Sequence, residues 1–336
     1  MTGPGSAGEP TNPDGPDGST PVSIAVFSLE GRAVPGLYLV GWLGTLGGAA
    51  LLAVSFLAAG GAASPWLFLG GTALLAIGLL AAGGSQAVEG SRRVDLAYRG
   101  PSPLIAFGAV IALTLLGVVV FLAPASALGL DPRSPLSTAI SLAITTAAYA
   151  GVVRLLVVGP GALAWGDMGL GRSARGAIRD LAIGASLALP VLVVTGALAV
   201  VLARFLEPAP SPLPPAVDTA GLLLNLATAA VLAPLGEELF FRGFATTAWA
   251  RSIGAGPAIL RGAVFFALAH VVTLFDASFA VGVQRAAFSF LALLPVGIAL
   301  GWLFLARRSL WAAVGLHAAF NAIQLVALAA SGGAGT

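Results

Sequence analysis

Apolar runs of about 20 residues recur from Leu37 to the C-terminus, each long enough to cross roughly 30 Å of hydrocarbon as a helix. Few folds are open to such a chain. In lipid every backbone N–H and C=O must be satisfied internally, which leaves helices or a closed barrel. The ten-residue alternation of barrel strands is absent, so the sequence predicts an all-α, polytopic transmembrane helical bundle. Only 9% of its residues are charged, against about 25% in a soluble domain. Apolar runs near 37–59, 66–84, 104–123, 136–158, 181–203, 219–249, 262–280, 287–305 and 310–330 give about nine spans.

The first 21 residues, rich in Gly, Pro, Ser and Asp, read as a disordered tail. They carry neither the basic stretch nor the apolar core of a cleavable signal, so the first span would act as an uncleaved insertion signal. Residues 22–205 then form an N-terminal set of transmembrane helices. Residues 219–330 form a C-terminal set, beyond the proline-rich stretch Pro208 to Pro215.

All sixteen basic residues are arginine. Arg92, Arg93 and Arg99, then Arg172, Arg175 and Arg179, then Arg251 and Arg261, and finally Arg307 and Arg308 fall between alternate pairs of spans. With nine spans these loops share one face, which the positive-inside rule makes cytoplasmic. The N-terminus is expected there and the C-terminus opposite. The net charge of +2 thus speaks of topology rather than of nucleic acid. Cysteine and lysine are both absent, which excludes disulfides, thiolate metal sites, thiol nucleophiles and Schiff-base chemistry. The glycines at Gly44, Gly47, Gly48, Gly70 and Gly71 are expected to serve close helix packing, not a phosphate loop. The stretch Trp165 to Asp180 reads either as a short interfacial helix or as an ordinary basic loop.

Against this apolar background the ionisable groups of the last third need a reason, because a charge at bilayer depth costs roughly 2.5–3.5 kcal/mol. The two histidines of the chain, His270 and His317, both lie there, as does Gly236-Glu237-Glu238-Leu239-Phe240-Phe241-Arg242. Glu238 and Arg242 are i and i+4 apart, the spacing and order that favour a helical ion pair. Glu237 points about 100° away, which leaves it unpaired and the better general base. His317 and Asn321 are likewise i and i+4 and would face one point. The sixth span is too long for one straight crossing, and Pro234-Leu235-Gly236 predicts a break, with the two acids opening its second half. Counted from the expected cytoplasmic ends at Arg261, Arg308 and Trp249, His270 and His317 each lie about 13 Å deep and Glu237 about 18 Å, so three helices place polar groups in one layer.

These residues carry a resemblance. Glu237-Glu238-x-x-x-Arg242, Phe266-x-x-x-His270 and His317-x-x-x-Asn321 occur in the order of the motifs of the CAAX-protease and bacteriocin-processing (CPBP, or Abi) intramembrane proteases. That family is related to the type II CAAX prenyl endopeptidases. The resemblance covers roughly residues 219–330, and the earlier spans share little with it beyond hydropathy. It implies hydrolysis of a peptide bond in a membrane-associated protein or peptide. By the same resemblance Glu237 and His270 would activate water, His317 and Asn321 would stabilise the oxyanion, and Glu238 with Arg242 would hold the helix. Either no cofactor is required, or a divalent metal such as zinc is held by Glu237, His270 and His317. The His-Glu-x-x-His motif of zinc proteases is missing, and the reading leans towards a metal-free enzyme. The expected partners are the lipid bilayer and a membrane-associated substrate, and the Ala/Gly-rich, all-arginine composition suggests a bacterial plasma membrane. There prenylated substrates would not be expected, and peptide maturation, bacteriocin immunity or membrane-protein turnover would be the contexts. Intramembrane Glu and His also serve secondary transporters and proton relays, but no internal repeat relates the two halves. A non-catalytic membrane scaffold is the third reading.

Overall fold

The computed structural model describes Leu29, residues 31–211, 213–214, 218–272, Leu274, Asp276 and residues 278–331. The expected N-terminal tail, Pro212, Pro215 and Thr273 lie outside the described residues. The chain divides into two units, Met1–Arg32 and Ala33–Thr336, and every helix belongs to the second. Nine helices and no strand are found among the described residues: α1 (Pro35–Leu57), α2 (Ser64–Ser91), α3 (Pro103–Ala127), α4 (Pro135–Val158), α5 (Ala174–Leu202), α6 (Thr219–Ile253), α7 (Ala255–Val271), α8 (Phe279–Arg307) and α9 (Leu310–Ala330). Eight are long and apolar enough to cross a membrane, and α7, at 17 residues, is shorter. The protein is an integral, multi-pass membrane protein.

With no hydrophobic drive between helices in lipid, close approach depends on small residues. α1 and α2 show this. A Cβ on Gly44 would sit 2.7 Å from Gly78 Cα, and one on Gly48 only 2.4 Å from Leu75 N. Gly70 has nothing within 4 Å, so of the expected packing glycines it alone faces open space. The same device joins α5 to α9, where a Cβ on Gly184 would lie 2.0 Å from Ala312 O and one on Gly315 2.2 Å from Leu181 O.

Two boundaries differ from those the apolar runs suggest. Gly254, at φ 84°, turns the chain directly from α6 into α7. The seventh helix therefore runs Ala255–Val271 instead of 262–280, and Arg251 and Arg261 lie on helices, not in a loop. Nor is α6 broken at Pro234-Leu235-Gly236. It continues through 35 residues, with π-helical turns at Leu226–Leu232 and Leu239–Thr246 flanking an α-helical stretch Ala233–Glu238. Proline lacks an N–H and its ring crowds the carbonyl four residues back. Widening the preceding turn to the π pattern relieves that crowding without a break.

The stretch from Trp165 to Asp180 is neither a separate interfacial helix nor a plain loop. It clasps the α8–α9 turn, whose Arg308 is left-handed at φ 49°. Leu310 N–H donates to Gly169 O at 3.1 Å, and Arg172 Nη2 donates to Arg307 O. The fully buried Asp180 pairs with Arg307 at 2.6 Å and with Arg172 at 3.5 Å. Asp167, paired with Arg251 at 2.8 Å, ties the same stretch to the end of α6. The entry of α9 is fixed in this way, and with it the register of His317. In the loop between α2 and α3, Arg93 holds the Asp95 carboxyl down to about 2 through a bidentate pair. Burial pushes the Tyr98 hydroxyl above its ordinary range.

Candidate active site

α6 packs against α4, α7, α8 and α9, and the polar groups of the last third meet on it. Arg242 Nη1 donates to Glu238 Oε1 at 2.9 Å, one turn away on the same helix. Both side chains are sealed, at 1% and 0% exposure. Arg242 Nη2 also donates to Gly297 O of α8 at 3.4 Å, and the guanidinium lies 4.3 Å from the centroid of the Phe266 ring of α7. This is the distance of a cation–π contact. One cation thus joins α6, α7 and α8. His317 of α9 is 2.7 Å from the same Glu238 oxygen through Nδ1. The other oxygen, Oε2, is buried without a hydrogen-bond partner among the described residues.

The acceptors fix the tautomers. A carboxylate facing Arg242 can only accept, so His317 Nδ1 carries the hydrogen and donates. His270 Nδ1 lies 2.8 Å from Phe266 O, another pure acceptor, and donates as well. In its neutral form each ring therefore turns an unprotonated Nε2 the other way. Both point at Glu237: its Oε2 is 3.7 Å from His270 Nε2 and 3.8 Å from His317 Nε2. Glu237 and His270 keep 19% and 26% exposure, which separates an accessible pair from the sealed Glu238 and Arg242. Phe266 holds the group together, with ring centroids 4.3 Å from His270 and 5.7 Å from His317.

Asn321 lies elsewhere. Its Nδ2 donates to Ala229 O at 3.0 Å, in the first π-helical stretch of α6. In a π turn that carbonyl would accept from residue 234, a proline with no N–H, and Asn321 supplies a donor in its place. The expectation that His317 and Asn321 face one point therefore gives way to two contacts, nine residues apart on α6. Gln324 and Asn225 also donate to backbone carbonyls, of Phe320 and Pro214.

Tyr149 of α4 is a neighbour that motif spacing did not single out. Its ring lies 5.1 Å from Phe240 and 5.9 Å from Phe241. One turn earlier, Thr146 packs on Gly236, where a Cβ would meet its Cα at 3.0 Å, and Thr146 Oγ1 donates to Leu232 O at 3.3 Å.

The donor chemistry suits a metal in part. Two imidazole Nε2 atoms and a carboxylate face one another, and each ring gives its other N–H to a carbonyl or carboxylate, as metal-bound histidines do. The spacing does not match. Ligand atoms on a tetrahedral zinc sit about 3.4 Å apart when its bonds are about 2.05 Å, closer than these contacts. Among the described residues no three acidic or imidazole side chains converge as a metal would require.

Residues 219–323 match the family model described as type II CAAX prenyl endopeptidase Rce1-like. This is about a third of the 336-residue chain and runs from the start of α6 through all three motifs. The match bears out the CPBP resemblance of that segment and supports, in general terms, an intramembrane endopeptidase acting on a peptide or protein substrate in a membrane. No curated protein and no solved structure matches the chain.

Proposed function

We propose that the protein is an intramembrane endopeptidase in which Glu237 and His270 activate water against a peptide bond of a membrane-associated protein or peptide. The observation that carries this reading is the placement of Glu237 Oε2 between two imidazole Nε2 atoms, 3.7 and 3.8 Å away, on a partly accessible face. Separations of this size suit one bridging water better than a direct hydrogen bond. Glu237 takes a proton from that water as its oxygen adds to the scissile carbonyl carbon. The proton then passes to the leaving nitrogen as the C–N bond breaks, and the water's second proton moves from the new carboxyl group to the amine, which leaves a carboxylate and an ammonium. His317 takes up a proton from solvent at Nε2 before the water adds, holds it through the cycle and donates it as a hydrogen bond to the oxyanion, with the Glu238 carboxylate behind it to balance the charge. Glu238 and Arg242 set the positions of His317, Phe266 and α8. Asn321 acts on α6 through Ala229 rather than on the oxyanion. No step passes through a metal.

In this proposal residues 219–330 carry the chemistry and residues 22–205 surround it. The N-terminus is cytoplasmic, and substrate reaches the site from that face or laterally, in a bacterial plasma membrane. The test is cleavage of a quenched-fluorescent peptide library by the purified protein in detergent, with and without chelator, beside His317→Ala. Turnover that survives chelation and falls on the order of 10²–10³ in His317→Ala supports the reading. Turnover abolished by chelator and restored by zinc makes the enzyme a metalloprotease. Turnover indifferent to His317→Ala rejects the site.

A further inference from the structure

The proposed chemistry needs hydrogen-bond donors where negative charge develops, and most donors near Glu237 are already engaged. Arg242 is sealed against Glu238, Gly297 and Phe266. Asn321 Nδ2 is on Ala229 O. Thr146 Oγ1 is on Leu232 O. His317 can offer Nε2 alone, and only once that atom has taken up a proton.

Tyr149 differs from these. It is 7% exposed, and a buried tyrosine hydroxyl ordinarily finds a partner. Tyr98 follows that rule, donating to Pro101 O at 2.9 Å. The Tyr149 hydroxyl makes no hydrogen bond among the described residues, and its oxygen is not one of the fully sealed unpartnered atoms, so it is a donor still open to a ligand. Its surroundings place it at the reacting end of α6. Thr146, one turn earlier on α4, is in contact with Gly236, and the Tyr149 ring rests on Phe240 and Phe241. The segment 146–149 therefore lies along 236–241 and brackets Glu237.

We infer that Tyr149 is a further catalytic residue, whose hydroxyl donates a hydrogen bond to the oxyanion formed at the scissile carbonyl, beside His317. The inference rests on the proteolytic reading and deepens it. It assigns to the N-terminal helices, through α4, a direct part in a site whose motifs all lie in α6, α7 and α9. Water adds to the carbonyl carbon, the C=O π electrons move to oxygen, and Tyr149 O–H and His317 Nε2–H share the charge until the C–N bond breaks.

The experiment is steady-state cleavage of one peptide from the library by wild type, Tyr149→Phe and Glu237→Gln. Thermal midpoints in detergent and the affinity of a phosphinate analogue of the same peptide are measured alongside. Phenylalanine keeps the contacts with Phe240 and Phe241 and removes an oxygen with no protein partner, so the fold is expected to hold. The inference predicts that kcat of Tyr149→Phe falls on the order of 10²-fold with KM and thermal midpoint unchanged. Phosphinate affinity should fall with kcat. A kcat within threefold of wild type overturns it, as does a loss that appears in KM or in the midpoint instead. If Glu237→Gln is inactive while Tyr149→Phe is not impaired, the inference fails and the protease reading stands. If Glu237→Gln cleaves like wild type, both fail.

Discussion

Arg242 ties α6 to α7 and α8, and Arg242→Met shows how much it holds. Methionine fills most of the volume and removes three interactions: the 2.9 Å pair with Glu238, the 3.4 Å bond to Gly297 O and the 4.3 Å contact with the Phe266 ring. Two unit charges about 4 Å apart attract by about 4 kcal/mol at an effective dielectric of 20. Measured losses on breaking one side of a buried pair are about 3–5 kcal/mol, because the remaining charge stays buried. That charge would be Glu238, at 0% exposure with one oxygen already lacking a partner. A loss of about 3–5 kcal/mol in unfolding free energy is expected, read from denaturant titration of tryptophan fluorescence in detergent. The double variant Arg242→Met with Glu238→Gln leaves no buried charge and should recover at least half of that loss, while remaining inactive. A single variant within about 1 kcal/mol of wild type, or a double variant no more stable than the single, would refute the reasoning.

Four further outcomes follow from particular contacts. Gly315→Val sets a side chain 2.2 Å from Leu181 O; α9 must move off α5, with a loss of about 1–3 kcal/mol and impaired turnover through His317. Gly70→Ala, with nothing within 4 Å, should be neutral or up to about 1 kcal/mol stabilising, by the same titration. Asp180→Asn removes the carboxylate that binds Arg307 and Arg172; because both partners are about one-third exposed, the expected loss is about 1–3 kcal/mol, visible as a lower thermal midpoint. Asn321→Ala leaves Ala229 O without its side-chain donor; it should cost about 1–3 kcal/mol in stability, and a loss of kcat with unchanged stability would return Asn321 to the oxyanion.

Much of this architecture was legible in hydropathy, because lipid leaves the backbone little choice. The nine helices could be read from apolar runs, and the expectation that Glu237, His270 and His317 come together is met by their contacts. The pairing of Glu238 with Arg242 followed from i, i+4 geometry on one helix. What spacing could not supply was the backbone's answer to Pro234. A break and a π turn both accommodate a proline, and only the packing of Thr146 and Asn321 against α6 shows which was used. The same limit hid the second destination of α9: His317 and Asn321 share a face, but α6 presents a carboxylate to one and a carbonyl to the other. The clasp of Asp180 on Arg307 joins residues 127 apart in sequence, and no periodicity reports such contacts. Tyr149 carried a weak signal that motif matching passes over, being one of three tyrosines in the chain and set within an apolar span.

The account stands on Glu237 as the group that activates water, and the direct measurement is turnover of a cleavable peptide by Glu237→Gln. Glutamine keeps the size of the side chain and cannot take up the proton. The account predicts a fall in kcat of at least 10²-fold, since general-base catalysis contributes typically about 10²–10⁴, with the thermal midpoint unchanged. Turnover within tenfold of wild type by a correctly folded Glu237→Gln would contradict it.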